Sequence, residues 1–168
     1  IHVPLCDSMY RKRLKGYAAA GYGKNVVSYK SDKNSQELIF ERNSYEVAFQ
    51  NDLAKAKHSV VIAVPKVKFK YKPAIISTLT KLLHEGVAMV VHIKEEGADE
   101  MELANAGMDV ICSKEQTLQC AIIDKAIVWY GSINFFGYNS ETNNVMRIAD
   151  HRIANEMIEI LYSDPRKA

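Results

Sequence analysis

Apolar and polar residues alternate in blocks that predict helices and strands in turn. From Ile39 onward the apolar positions recur at helical spacing, and Asn43 with Glu46 forms a capping-box pattern, which predicts a helix from about Ser44 to Lys57. The run SVVIAV from Ser59 is continuous and β-branched, which is typical of a strand buried on both faces.

The same alternation continues to the end of the chain. Pro73 begins a second predicted helix that ends at Gly86, and Asp150 caps a last one. The other predicted elements are strands over Val87–Ile93, from Met108, over Leu118–Ile123, over Ala126–Tyr130 and near Asn144–Ile148, and a short helix over Asp99–Ala106. This order predicts an α/β fold with a mixed, mainly parallel sheet flanked by helices.

Composition limits the class of protein. The 168 residues are 48% hydrophobic and 25% charged, as in one soluble globular domain. The longest apolar runs are far shorter than the roughly 18 residues of a membrane helix, so we expect no membrane association. We assign residues 39–163 to the domain and 164–168 to a tail. Because the chain begins with Ile1 rather than methionine, we expect it to be one part of a larger protein.

The N-terminal segment, residues 1–38, differs in charge from the rest. Its first 35 residues contain seven lysines and arginines against two aspartates, together with four tyrosines and three glycines. Basic and aromatic residues together can bind a phosphate backbone and stack on bases. A solvated linker to an upstream domain also explains the composition, and both interpretations stay open.

Cysteines and histidines provide no evidence of a metal site. Cys6, Cys112 and Cys120 are odd in number and lack CxxC spacing, which favours buried, reduced thiols and a cytoplasmic protein. The histidines are scattered without other ligands at suitable spacing: His2, His58, His84, His92 and His151. We therefore expect no metal and no cofactor.

One segment carries a recognisable motif, TLQCAIIDKAIVWYGSINFFG over 117–137. Asp124 is followed by six residues, then Gly131 and Ser132, one residue and Asn134. This spacing resembles the second part of the phospholipase D superfamily signature, H-x-K-x(4)-D-x(6)-G-S-x-N. The resemblance covers about 125 residues and implies a phospholipase D-like half.

The signature is degenerate at the two positions that matter most for catalysis. Thr117 stands where the family has its nucleophilic histidine, and Gln119 stands where it has a phosphate-binding lysine. An unassisted threonine hydroxyl is a poor nucleophile, and without the lysine no cation offsets charge on the phosphoryl oxygens. We predict no phosphodiesterase activity. The alternative is an active phosphodiesterase or nuclease with an atypical nucleophile such as His92.

The remaining motif residues have a binding and a structural interpretation. The resemblance implies that Ser132 and Asn134 contact phosphate and that Gly131 permits close backbone approach. Alternatively, Ser132 and Asn134 bond their own backbone in a tight turn, and Asp124 binds nearby backbone.

The segment KVKFKYK contains four lysines at alternate positions. If it is extended, the four ammonium groups of Lys66, Lys68, Lys70 and Lys72 lie on one side, where they can contact phosphates without sequence preference. The alternative is a solvated lysine edge that discourages aggregation.

The sequence of the last third of the chain looks like that of the phospholipase D-like domains appended to bacterial DNA helicases and repair-type ATPases. We therefore predict an accessory domain of a larger DNA-processing protein, with nucleic acid as partner and a motor domain upstream in the same polypeptide. Single-copy members of the family pair, so we expect a homodimer. A purely structural dimerisation domain is a further alternative.

Overall fold

A seven-stranded sheet with helices on both faces forms the described part of this computed structural model, residues 38–95 and 97–163. The strands are β1 (Ile39–Glu41), β2 (Ser59–Val64), β3 (Ala88–Ile93), β4 (Asp109–Cys112), β5 (Cys120–Ile123), β6 (Ile127–Gly131) and β7 (Asn144–Ala149). The helices are α1 (Tyr45–Leu53), α2 (Pro73–His84), α3 (Ala98–Asn105) and α4 (His151–Tyr162), with a 3-10 helix at Phe69–Tyr71. The predicted tail, Cys6 and all but the last residue of the N-terminal segment lie outside these ranges.

The sheet is mixed, as the sequence predicts. Its strand order is β1-β7-β6-β5-β2-β3-β4, with β2, β3 and β4 parallel and the other neighbours antiparallel. Parallel neighbours need a crossover, which α2 and α3 provide, whereas the β5–β6 connection is a tight turn. Five strands point in the same direction, so the prediction of a mainly parallel sheet holds for strand direction. By pairing, four of the six junctions are antiparallel.

Side chains alternate between two cores, one on each face of the sheet. On one face Val60, Ile62 and Trp129 pack with α1 and α2, and on the other Val61 and Val128 pack with α4. β2 is buried on both faces, which confirms the interpretation of SVVIAV.

A buried polar group connects α1 to the sheet. The Asp52 carboxylate accepts a hydrogen bond from Trp129 Nε1 at 2.9 Å and two from Arg147, from Nε at 2.6 Å and from Nη2 at 3.0 Å. These bonds satisfy a carboxylate that is only 6% exposed. The contacts fix α1 against β6 and β7.

Several local predictions need correction. The capping box is wrong: Ser44 is the N-cap of α1 without a side-chain cap bond, and its Oγ instead accepts from the Glu41 N–H. α1 ends at Leu53, four residues before the predicted Lys57. By contrast, the Asp150 carboxylate accepts from two N–H groups of α4, so that cap is confirmed.

The two described cysteines differ in their exposure to solvent. Cys120 is buried, and burial raises the pKa of its thiol to about 12, but Cys112 is exposed at the end of an edge strand, contrary to expectation. Within the described ranges, no helix has the length and apolar character needed to cross a bilayer.

Candidate functional site

Most residues singled out in the sequence lie along one edge of the sheet. β2, β3, β4 and β6 end at this edge, and β5 and β7 begin there. We call it the carboxyl edge. It carries the lysine segment after β2, Thr117 and Gln119 at the approach to β5, and the loop 132–139 after β6. Open α/β sheets usually bind their ligands at the carboxyl ends of strands.

Asp124 lies at the opposite edge, in the turn between β5 and β6. Its carboxylate accepts hydrogen bonds at 2.8–2.9 Å from the backbone N–H groups of Lys57, His58 and Ser59, just before and at the start of β2. Burial alone would raise the pKa of Asp124, but these three donors hold it below its ordinary value. Asp124 and Lys125 adopt left-handed backbone conformations, with φ of 53° and 52°. Asp124 therefore clamps a turn to a strand.

Gly131 permits a close approach of two strands. A Cβ at this position would clash with the backbone of β7, at the carbonyl oxygen of Asn144 and the Cα of Val145. The Gly131 N–H also donates to the Gln119 carbonyl at 3.2 Å. This glycine of the motif is needed for strand packing whether or not a phosphate binds nearby.

The side chains of Ser132 and Asn134 are used in backbone hydrogen bonds. Ser132 Oγ accepts from the Asn144 N–H at 3.1 Å and lies 3.4 Å from the Asn144 carbonyl oxygen. Asn134 Nδ2 donates to the Lys66 carbonyl at 3.1 Å, and its Oδ1 accepts from the Phe136 N–H at 3.0 Å. Both side chains therefore bond to backbone, but Ser132 bonds to β7 and Asn134 bonds partly to the lysine segment, rather than only within a tight turn.

The loop 132–139 and the lysine segment are held together. The Asn134 bond to Lys66 is joined by a 2.7 Å bond from the Lys68 N–H to the Phe136 carbonyl. Asn139 closes the loop, since its Oδ1 accepts from the Asn134 N–H and its Nδ2 donates to the Asn134 carbonyl. The structure thus brings two predicted groups of site residues together, the motif loop and the lysines.

The four lysines do not form the extended row that the sequence suggested. Phe69–Tyr71 is a 3-10 helix, so the strict alternation of sides is lost. Lys72 is half-buried and pairs with Glu46 at 2.9 Å. Burial would lower the pKa of Lys72, but its hydrogen bond to Glu46 raises it above the ordinary value. Lys66 pairs with Glu95 at 3.5 Å with both side chains more than half exposed, a weak contact, and Lys68 and Lys70 are exposed.

Sequence reasoning missed two residues of the carboxyl edge, Arg42 and Tyr138. Arg42 follows β1, and its Cζ lies 5.4 Å from the centroid of the Tyr138 ring. Tyr138 is 64% exposed, and its centroid lies 6.0 Å from that of Tyr71. An exposed aromatic residue within a polar loop was a usable signal for Tyr138. Nothing local singled out Arg42, because β1 was not predicted.

His92 lies beneath the carboxyl edge, on the α4 face. It is 3% exposed, and its ring contacts that of Tyr162 at 4.9 Å between centroids. Burial lowers its pKa, and among the described residues its Nε2 has no hydrogen-bond partner. It lines a cavity of about 200 Å³ that also includes Thr117. A ring so buried is poorly placed to attack a phosphodiester.

Solved structures resemble this architecture, whereas no family model and no curated protein matches the sequence. Nuc from Salmonella typhimurium, a phospholipase D family member, aligns over 75% of this chain and 90% of its own with a TM-score of 0.62 and 22% identity. NucT from Helicobacter pylori aligns over 73% of this chain and 91% of its own with a TM-score of 0.57 and 15% identity. The chain has a phospholipase D-like fold.

A chromatin protein is also similar in structure to this chain. TrmBL2, an archaeal chromatin protein described as having a novel mode of DNA binding, aligns over 94% of this chain and 65% of its own, with a TM-score of 0.54 and 14% identity. At such identities the likeness shows a shared fold. What this chain does must be argued from its own residues.

Proposed function

We propose that this chain is a degenerate member of the phospholipase D superfamily that binds nucleic acid at its carboxyl edge without cleaving it. The observation that carries the proposal is the grouping of cations there. Lys66, Lys68 and Lys70 follow β2. Arg42 follows β1 and lies beside Tyr138, whose loop is bonded to the lysine segment. Cations held on a rigid edge suit a phosphate backbone. TrmBL2, a protein of similar fold, is described as binding DNA.

The residues at the motif positions support the proposed absence of cleavage. Thr117 and Gln119 provide neither a histidine nucleophile nor a cation. The hydroxyl and amide of Ser132 and Asn134 bond to the backbone of Asn144, Lys66 and Phe136. These groups support the loop that carries Tyr138 and leave phosphate binding to the cations.

The test combines binding and turnover on the same preparation. Labelled oligonucleotides are titrated by fluorescence anisotropy over a salt series, and the same oligonucleotides and bis-nitrophenyl phosphate are assayed for cleavage. We expect salt-sensitive binding and no turnover. Turnover that persists when the parent protein is repurified, and that is lost in the His92→Ala variant, would instead support the enzyme alternative. Absence of binding at low salt would contradict the proposal.

We also propose that two copies of the chain pair. The supporting observation is a row of exposed apolar side chains across three neighbouring strands, Ile39 on β1, Met146 on β7 and Tyr130 on β6, which are direct register partners. They are 61%, 42% and 41% exposed. Light scattering at high micromolar concentration should give a dimer mass that Met146→Lys converts to a monomer mass. A monomer mass for the parent would contradict pairing.

The wider context is proposed on the resemblance alone. We propose that the domain serves a larger DNA-processing protein of helicase or repair type in the cytoplasm, with residues 1–38 as the segment that leads to its motor domain. Reading the coding sequence upstream of Ile1 for an ATPase motif tests the architecture.

A further inference from the structure

Two exposed tyrosines from separate segments border a cleft at the carboxyl edge. Tyr71 is 44% exposed and Tyr138 is 64% exposed, and their rings meet at 64° with centroids 6.0 Å apart. The adjoining cavity of about 310 Å³ is lined by both rings and by Arg42, Asn43, Glu46 and Lys72. This volume is at the lower end of the range for small-ligand sites.

Exposure of these rings contrasts with the other large aromatic side chains of loop 132–139 and α1. Phe49, Phe135 and Phe136 are fully buried, although Phe135 and Phe136 come from the same loop as Tyr138. The loop therefore has apolar anchors beneath it and does not need Tyr138 for its own packing. A tyrosine combines a large apolar surface with little conformational entropy, which suits it to contact another flat ring.

Each tyrosine has a cation close to its ring. Lys70 Nζ lies 4.9 Å from the Tyr71 centroid, and Arg42 Cζ lies 5.4 Å from the Tyr138 centroid. Within the lining of the cleft, Lys72 is paired with Glu46, and Arg42 adds a positive charge. A mainly polar cleft bordered by two exposed rings and by cations is complementary to a base attached to a charged backbone.

We propose that the Tyr71–Tyr138 cleft binds an unpaired base of single-stranded nucleic acid, with Arg42, Lys68 and Lys70 holding the adjoining phosphates. The inference rests on the proposed nucleic-acid-binding function and gives it a strand preference. Bases within a duplex are stacked and paired, so only a single strand can place a base against these rings. Asn43, in the same lining, can donate or accept a hydrogen bond at the base edge.

The experiment compares three labelled ligands of equal phosphate number at one low salt concentration. They are a single-stranded oligonucleotide, a duplex of half its length, and a full-length single strand in which abasic sites replace the nucleosides. The variants are Tyr71→Ala, Tyr138→Ala, Tyr138→Phe and Tyr162→Ala. Tyr162 is the matched control, because it is 52% exposed but lies at the end of α4 and does not line the cleft. Thermal unfolding of each variant checks that it folds.

We expect the single strand to bind more tightly than the duplex or the abasic strand. Tyr71→Ala and Tyr138→Ala should each weaken single-strand binding by about 5-fold to 100-fold, the effect of one lost base–aromatic contact, and should leave duplex binding unchanged. Tyr138→Phe, which keeps the ring, and Tyr162→Ala should bind as the parent does.

Two results would overturn the inference, and they are distinguishable. If all three ligands bind but the alanine variants match the parent, the base-binding cleft is wrong and the proposed function stands. If none of the three ligands binds, both fail.

Discussion

Two parts of the carboxyl edge differ in how they use their polar groups. In the motif part, Ser132 and Asn134 match the family signature, yet their side chains bond to nearby backbone. The outer part consists of the lysine segment and the end of loop 132–139 and has no family motif. Its side chains Lys68, Lys70, Tyr71 and Tyr138 are exposed to solvent. A matched motif residue here supports the fold, and the ligand binding that we propose is assigned to exposed side chains outside the motif.

Asp124 extends the comparison to the opposite edge. It is the signature residue with the most backbone contacts, three N–H donors from the start of β2, and it lies at the end of the sheet away from the lysines. Asp124 and Ser132 belong to the same sequence motif, but strand β6 separates them by its own length. We expect the two groups to respond differently to substitution: changes at the bonded motif residues should lower stability, and changes at the exposed cations should lower affinity for oligonucleotides.

The largest effect is expected from Asp124→Ala. Loss of three bonds to an ionised carboxylate should lower the free energy of unfolding by about 3 kcal/mol. Because the folded-state pKa of Asp124 is lowered, its contribution is present above the unfolded pKa and disappears as pH falls through the folded one. Urea unfolding at neutral and acid pH measures this, with exposed Asp109→Ala as control. Equal stability of both variants at pH 7 would contradict the clamp.

The outer cations are tested by Lys68→Glu with Lys70→Glu. We expect oligonucleotide affinity to fall about 100-fold at low salt and the logarithmic salt slope to flatten by about 1.8, since two phosphate contacts are lost. Stability should change little because both side chains are exposed. The control is Lys55→Glu with Lys81→Glu. These two lysines lie near the carboxyl ends of α1 and α2, away from the carboxyl edge of the sheet. A control pair that weakens binding equally would show that total charge alone matters.

Asn134→Ala should have a smaller effect, mainly on stability. It removes the bonds to Lys66 and Phe136, which should cost about 1 to 2 kcal/mol in unfolding free energy. Affinity for oligonucleotides should change less than about threefold if the loop keeps its shape, since no charge is removed. The measurement is thermal unfolding beside an anisotropy titration. A large loss of affinity at unchanged stability would restore Asn134 as a phosphate contact.

The smallest effect concerns His92. Burial lowers its pKa in the folded state, so the unfolded chain takes up the proton first and stability falls as pH drops below about 6.5. The loss from this one group is less than about 1 kcal/mol between pH 7 and pH 6. Denaturant unfolding of the parent and His92→Leu over this range measures it. The same pH dependence in both proteins would assign it to other histidines.

Local pattern was sufficient for most elements of the fold. β2 was predicted because a continuous β-branched run has few alternatives, and α4 because Asp150 precedes an amphipathic stretch. The pattern failed where a tertiary contact outweighed local preference. The alternation in KVKFKYK suggested an extended segment, but burial of Val67 and the Lys72–Glu46 pair accompany a 3-10 helix there instead.

By itself the sequence predicted the mixed α/β sheet, because that depends on periodicity. It also contains residues that resemble a phospholipase D motif, with Thr117 and Gln119 where that family has a histidine and a lysine. Only the tertiary structure decided which polar side chains form hydrogen bonds to distant backbone groups. Asn134 meets Lys66 across 68 positions of sequence and Asp124 meets His58 across 66. The juxtaposition of Arg42, Tyr71 and Tyr138 likewise required β1, the segment after β2 and the loop after β6 to converge at one edge. Such proximity is created by strand order, which no local spacing encodes.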